Sequence, residues 1–272
     1  MIDQRAESSG YETIRDWLSR RCAIHYPEAK RDLLTQRLGR VQRAYAIPSL
    51  AALAAAVGDS QQHEVQLAVI HAASTNHTYF WREHEVLEFF RASVLPDLAR
   101  RPQIRLWSAA CSTGDEVYTL AILIAETLGM AALEQTQILG TDISEPVISR
   151  AESGIFPARQ LQSMPAALRA KYLVPVGIEQ FQVIPALRRA CTFRRMNLKV
   201  TPFPFRNTFQ AAFCRNVLYY FAHEDQVATV NAIADVVEPG GWLFTSVTEN
   251  VRDMSHRWKV LDSGIARRAE RS

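Results

Sequence analysis

The chain has 272 residues, 48% of them hydrophobic and 22% charged, with a formal net charge of +3. That length allows one large domain or a domain with a smaller companion, and the apolar share is enough for a packed core. The near-neutral balance argues against nucleic acid as a partner, and no apolar run is long enough to span a bilayer.

Residues 1–17 are polar and lack the apolar core of a signal peptide, so a cytoplasmic location without membrane insertion is expected. Residues 11–70 read as helices only. In DLLTQRLGRVQRAYAI, Leu34, Leu38, Val41 and Tyr45 fall at i, i+4, i+7 and i+11, which is one face of a helix. PSLAALAAAVG predicts a second helix with Pro48 near its start and Gly58 as C-cap; QHEVQLAVIHAAS predicts a third. A helical domain over residues 1–72 is the expectation.

Beyond it, strand-like runs at 103–109, 137–143, 209–215 and 241–247 alternate with helical stretches at 115–128, 144–153 and 224–237. Such alternation predicts a parallel sheet with helices on both faces over residues 73–272. Residues 155–195, rich in Pro, Arg and short apolar runs, are too long for a simple crossover and predict an inserted subdomain. ARRAERS at the end reads as a frayed tail. The four cysteines (Cys22, Cys111, Cys191 and Cys214) lie at no metal or redox spacing and are expected to be buried thiols. His71, His77, His84 and His223 show no ligand pattern either, so no metal is expected.

The strand–turn–helix corner LWSAACSTGDEVYTLAILIAE, residues 106–126, carries the chemistry. In a doubly wound sheet ligands bind beyond the C-terminal ends of the strands, near this corner. A dinucleotide site would show G-x-G-x-x-G and a P-loop a lysine after its last glycine. Here a single glycine, Gly114, is followed by Asp115 and Glu116, which repel phosphate at short range. Carboxylates suit a cationic, hydroxyl-bearing ligand such as S-adenosylmethionine. Asp142 ends the next strand, where nucleoside sites place an acid for ribose hydroxyls. Each acid has a structural alternative: Asp115 and Glu116 as partners of a helix dipole, Asp142 as an N-cap. Of the pair, Asp115 is expected to face the helix end or solvent and Glu116 the ligand.

Four blocks in order resemble the CheR-type chemoreceptor glutamate methyltransferases. TNHTYFWRE (75–83) is similar to that family's T-N-x-T-x-F-F-R-E, and SAACSTGDEVYTLAI (108–122) to its S-T-G-E-E-P-Y corner. AFCRNVLYYF (212–221) is similar to its F-C-R-N-V-x-I-Y-F, and EPGGWLF (238–244) to its K-P-G-G-x-L-F. The resemblance implies a Rossmann-like class I methyltransferase sheet with an inserted subdomain, preceded by a small all-helical domain. It implies methyl transfer from S-adenosylmethionine to glutamate side chains of a chemoreceptor's cytoplasmic helical bundle. A scaffold that binds S-adenosylmethionine with weakened catalysis is the alternative, and a nicotinamide oxidoreductase lacks its glycine fingerprint.

Carried onto matching positions, the resemblance implies cofactor contacts from Asn76, Thr78, Arg82, Glu116, Asp142, Asn197, Leu198, Arg215 and Asn216. It sets Arg82 and Tyr220 beside the transferred methyl. Arg37, Arg40 and Arg43 on the basic helix are implied to dock the receptor. The insertion has a short turn with only Gly177, so no pentapeptide tether is expected, and the chain is expected to act as a monomer. Three positions depart from the family pattern: DEVY for E-E-P-Y, Gln210 for an acid, and SVTEN for the H-S-E segment, the last on the substrate side.

Overall fold

The computed structural model describes residues 4–270. Its first part is helical: α1 (Gln4–Cys22), α2 (Arg31–Ala44), α3 (Leu50–Gly58) and α4 (His63–Ala73). Tyr11, Ile14 and Leu18 of α1, Leu34, Leu38 and Val41 of α2, Leu53 and Val57 of α3, and Val65 and Val69 of α4 share one core. Helices α1 and α3 cross with backbones nearly touching, since a Cβ on Gly10 would stand 2.5 Å from the Ala51 amide nitrogen. Ser49 caps α3 by accepting from the Ala52 amide at 3.0 Å. Two expectations shift here. Tyr45 falls one residue past α2 and is exposed, so the buried stripe ends at Val41. Gly58 is the last helical residue of α3 and Asp59 flanks it as C-cap.

A linker then leads into α5 (His84–Phe89), a π turn over Phe90–Val94, and α6 (Leu95–Leu98). The α/β part follows: β1 (Ile104–Ala109), α7 (Asp115–Leu128), β2 (Thr136–Asp142) and α8 (Glu145–Ser153). Next come β3 (Ile155–Pro157), α9 (Ala166–Tyr172), β4 (Leu173–Gly177), β5 (Gln180–Val183) and α10 (Pro185–Arg189). The chain finishes with β6 (Cys191–Arg195), β7 (Phe209–Cys214), α11 (His223–Val236), β8 (Val237–Phe244), β9 (Trp258–Asp262) and β10 (Ile265–Arg268).

Seven strands form the main sheet in the order β6-β2-β1-β7-β8-β10-β9. The first five run parallel, and β10 is antiparallel to both its neighbours. Period-two alternation divides their side chains between two cores. Leu106, Phe213, Phe244 and Ile265 pack on one face with Leu120 and Ile124 of α7. Trp107, Ala212, Leu243 and Ala266 pack on the other with Val230 and Ile233 of α11. The Rossmann-like reading holds, with the helical domain ahead of it and the insertion as a separate antiparallel sheet, β3-β5-β4.

Two boundaries differ from the sequence reading. Cys191–Arg195 pairs with Ile138–Asp142 as the edge of the main sheet, so the insertion ends before it rather than at 195. The C-terminal stretch is not frayed through Arg268: Ile265–Arg268 lies between β8 and β9, with Ile265 and Ala266 buried on opposite faces. Its arginines mask that short alternation. The last two residues of ARRAERS lie outside the described residues. Gln210, where an acid was the pattern, is buried in β7 and accepts the Arg105 amide of β1 at 2.6 Å through Oε1.

Candidate active site

Strand β1 lies between β2 and β7, and chain order reverses there, which opens a crevice beyond the strand ends. A cavity of about 1050 Å³, its mouth included, fills that crevice. Asn76, Thr78, Arg82, Glu116, Asp142, Asn197, Leu198, Arg215, Asn216 and Tyr220 all line it.

The corner after β1 is compact. The Cys111 amide donates to the Thr141 carbonyl of β2 at 2.8 Å, and the Gly114 amide to the Cys111 carbonyl at 3.0 Å. Gly114 has φ +89°, and a Cβ there would stand 2.9 Å from the Ala151 Cβ. That one glycine therefore serves the turn and the packing of α8, while Ala110 and Ser112 take positive φ without one. Asp142 joins the two strand-end loops: Oδ2 accepts the Ser112 amide at 2.9 Å and Oδ1 the Ser144 amide at 3.0 Å. Burial pushes its carboxyl up, and these backbone N–H groups oppose the shift. The carboxylate lines the cavity and retains acceptor capacity beyond these bonds.

The acid pair divides sharply. Asp115 is fully buried and does not line the cavity, so the solvent half of its expectation is corrected, while the helix-end half holds: its carboxyl bonds its own backbone N–H at the start of α7. Its Oδ2 accepts the Thr113 hydroxyl at 2.6 Å and its Oδ1 the Gln160 amide at 3.0 Å, tying the corner to the insertion. Burial raises its pKa to about 7 against those hydrogen bonds. Glu116, one residue on, faces the cavity and accepts from the Ser108 hydroxyl at 2.7 Å and Arg215 Nη1 at 2.8 Å.

Arg215, 3% exposed at its side chain, is the centre of an ion triad with the partly buried Glu116 and Glu83. Its Nη2 also donates to the Arg82 carbonyl at 2.6 Å, while its Nε has no partner. Glu83 further accepts from Asn216 Nδ2 and the Ser246 hydroxyl, both at 2.9 Å. Burial alone would raise Glu83, but these hydrogen bonds and the Arg215 charge outweigh it and its pKa is lowered. Glu83, outside the lining, shares the Arg215 charge with Glu116, so Glu116 and Asp142 keep negative character on the floor, apart from the Arg82 guanidinium at the mouth. That favours a cationic ligand and disfavours phosphate.

At the mouth, Arg82 donates to the His77 carbonyl at 2.9 Å and stands 5.8 Å from the centre of the Tyr79 ring. It does not pair with the adjacent Glu83, whose charge goes to Arg215. Tyr220 is half-buried, its ring 4.3 Å from that of Tyr219 and its hydroxyl accepting from Tyr219 at 3.2 Å. Asn197 uses its side chain elsewhere, donating to the Arg21 carbonyl at 2.7 Å and accepting the Lys199 amide at 3.0 Å. Ile143, Met196 and Leu198 supply an apolar wall beside Asp142.

Several contributors were not picked out in the sequence. Cys22 and Ile24 bring the helical domain into the cavity wall, and the His25 amide donates to the Tyr220 carbonyl at 2.8 Å. Glu83 ends TNHTYFWRE, where nothing local marks its pairing with Arg215. Glu249, buried beyond β8, organises the loop after β7. Arg37 sits within its helix differently from Arg40 and Arg43. Its Nη1 donates to the Tyr26 hydroxyl at 2.8 Å and the Ala73 carbonyl at 3.0 Å, while Arg40 and Arg43 are exposed.

The donor set suits S-adenosylmethionine: buried acceptors on Asp142 and Glu116 for hydroxyl and ammonium groups, an apolar slot for a flat ring, and no phosphate cradle. Among the described residues no group of His, Cys, Asp and Glu could hold a metal ion, and no helix is long and apolar enough to cross a membrane.

Comparison with known proteins agrees with this site. Residues 76–266 match the CheR methyltransferase SAM-binding domain and residues 9–69 the CheR methyltransferase all-alpha domain. A chemotaxis protein methyltransferase of Borreliella burgdorferi is 31% identical over 236 residues, covering 84% of this chain and 83% of that protein. Chemotaxis protein methyltransferase 2 of Pseudomonas aeruginosa is 31% identical over 249 residues, covering 90% and 88%. Its methyltransferase 1 is 29% identical over 275 residues, covering 97% and 99%. With both domains matched in order and the cavity at their junction, the chain belongs to the CheR methyltransferase family.

Proposed function

We propose that this protein transfers a methyl group from S-adenosylmethionine to the side-chain carboxylate of glutamates in a chemoreceptor's cytoplasmic helical bundle, giving glutamate methyl esters. The observation that carries the reading is the single cavity where Glu116 and Asp142 form a negative floor and Arg82 and Tyr220 stand together at the lining.

Bound S-adenosylmethionine supplies an electrophilic methyl on a sulfonium centre. Glu116 and Asp142 would hold its polar groups, with Ile143, Met196 and Leu198 against its ring. Asn76, Thr78, Asn197 and Asn216 complete that lining, Asn197 through its backbone because its amide is engaged. A substrate glutamate, with a reference pKa of about 4.3, is already an anion at neutral pH, so no general base is needed. Arg82 attracts and orients that carboxylate; its bond to the His77 carbonyl occupies one Nη1 hydrogen and leaves donors for the substrate. Tyr220 borders the same space with its hydroxyl. The apolar wall and the end of α1 keep water from competing for the methyl. Orientation of this kind is worth up to about 7–11 kcal/mol in favourable cases.

For docking, Arg40 and Arg43 offer exposed positive charge to an acidic helical bundle, whereas Arg37 anchors the linker. The β4–β5 turn consists of Ile178 and Glu179 alone, which fits docking without a C-terminal pentapeptide tether. The deciding assay incubates the protein with tritiated-methyl S-adenosylmethionine and receptor cytoplasmic fragments. The expected result is label on the receptor that base releases as methanol. Binding of S-adenosylmethionine without any base-labile label would overturn the reading in favour of a scaffold.

A further inference from the structure

The loop after β7, residues 215–220, carries Arg215, Asn216 and Tyr220 into the cavity, yet little of it is regular structure. Asn216 has φ +59°, in the left-handed region that asparagine adopts more readily than other residues with a Cβ. A single carboxylate holds the loop in that path. Glu249 Oε2 accepts the Asn216 amide at 2.9 Å and the Ser246 amide at 3.0 Å. Its Oε1 accepts the amides of Val217 at 2.9 Å, Leu218 at 2.8 Å and Tyr219 at 3.4 Å. Those last three are the free N–H groups at the start of the short turn Leu218–Tyr220.

We infer that Glu249 is a positioning residue for methyl transfer, its carboxylate setting the path of residues 216–219 and so the placement of Tyr220 and Asn216. The inference rests on the proposed function, in which those two residues meet the reacting groups. Four consecutive backbone amides converge on a carboxylate only 5% exposed. Burial pushes its carboxyl up, and the five N–H groups oppose that shift by solvating the charged form. Glu83 holds Asn216 of the same loop through Nδ2 and also accepts from Ser246 Oγ in the loop after β8. The Glu249 carbonyl accepts the Thr245 hydroxyl at 3.0 Å, fixing the residue's own backbone. Glutamine has nearly the same shape, but its amide group would point N–H at N–H on one side of the loop. The loop must then move off the cavity on that side while the core beneath it is unchanged.

The test compares the parent protein with Glu249→Gln, Glu249→Asp, Tyr220→Phe and the double variant E249Q/Y220F. It measures kcat on receptor fragments and Kd for S-adenosylhomocysteine. In E249Q, kcat is expected to fall at least tenfold, with Kd within threefold of the parent. The Tyr220→Phe loss is expected to be much smaller in the E249Q background than in the parent, because the hydroxyl is already misplaced. E249D keeps the charge but not the reach to both sets of amides; it is expected to lose kcat in the same sense and stands in if the glutamine variant does not fold. Either variant holding kcat within threefold, or losses that multiply in the double variant, would overturn the inference while leaving the function intact. A parent that transfers no methyl overturns the functional reading and the inference with it.

Discussion

Asp115→Asn isolates a cost built into the corner. In the folded protein Asp115 is sealed from water and its pKa stands at about 7, whereas an exposed aspartate lies near 3.8. The folded state therefore holds a proton that the unfolded chain has lost, and stability falls as pH rises between those values. The contribution is fully present below pH 3.8 and is lost as pH climbs through about 7. The gap corresponds to about 4 kcal/mol once both states are ionised, of which less than half is already spent at pH 5. Asparagine keeps both contacts: its oxygen accepts from Gln160, and its amide donates to the Thr113 hydroxyl, which reverses its role. Chemical unfolding followed by tryptophan fluorescence should show D115N more stable than the parent, with the advantage growing by about 2–3 kcal/mol from pH 5 to pH 8. Stability curves that run parallel across that range would refute the reasoning.

Other perturbations separate the parts of the site. Arg82→Ala should lower kcat about 100-fold, the scale of a lost charge-assisted contact of 1.5–3 kcal/mol, and Arg82→Lys should fall between it and the parent because it keeps charge without the fork. Steady-state kinetics with receptor fragments reads both. Glu116→Gln should weaken S-adenosylhomocysteine about tenfold in calorimetry, since it removes a charged acceptor and leaves Arg215 underpaired. Arg40→Glu with Arg43→Glu should raise KM for the receptor and flatten its salt dependence, with S-adenosylhomocysteine binding unchanged. Arg37→Ala should instead lower the melting temperature, because the acceptors it serves on the linker are left open.

The sheet was legible because strands β1, β2 and β7 are short apolar runs between turn residues, and their alternation survives in the burial of Leu106 against Trp107. Glu116 and Asp142 stand out because acids follow two successive strands at the ligand-binding end of the sheet, although each alone has a structural alternative. What stayed hidden depended on distant partners. Nothing local tells that Glu83 pairs with Arg215 across 132 positions, or that Glu249 faces the amides of Asn216–Tyr219. Asp115 and Glu116 are neighbours of one type, and only the helix phase divides them between core and cavity. Strand β10 is hard to read because all four residues from Ala266 to Ala269 are small or charged, in a pattern that mimics a tail. Arg37 shares its helix with Arg40 and Arg43, and its inward turn depends on Tyr26 and Ala73, which no spacing rule connects to it.

The central claim is that one cavity holds the methyl donor on Glu116 and Asp142 and delivers it past Arg82 and Tyr220. A crystal structure with S-adenosylhomocysteine tests it most directly. The account predicts the ligand in the crevice beyond β1 and β2, polar groups against Glu116 and Asp142, ring against Leu198, and sulfur turned toward Arg82. Ligand bound elsewhere, or lying with its sulfur turned away from Arg82 and Tyr220, would contradict it.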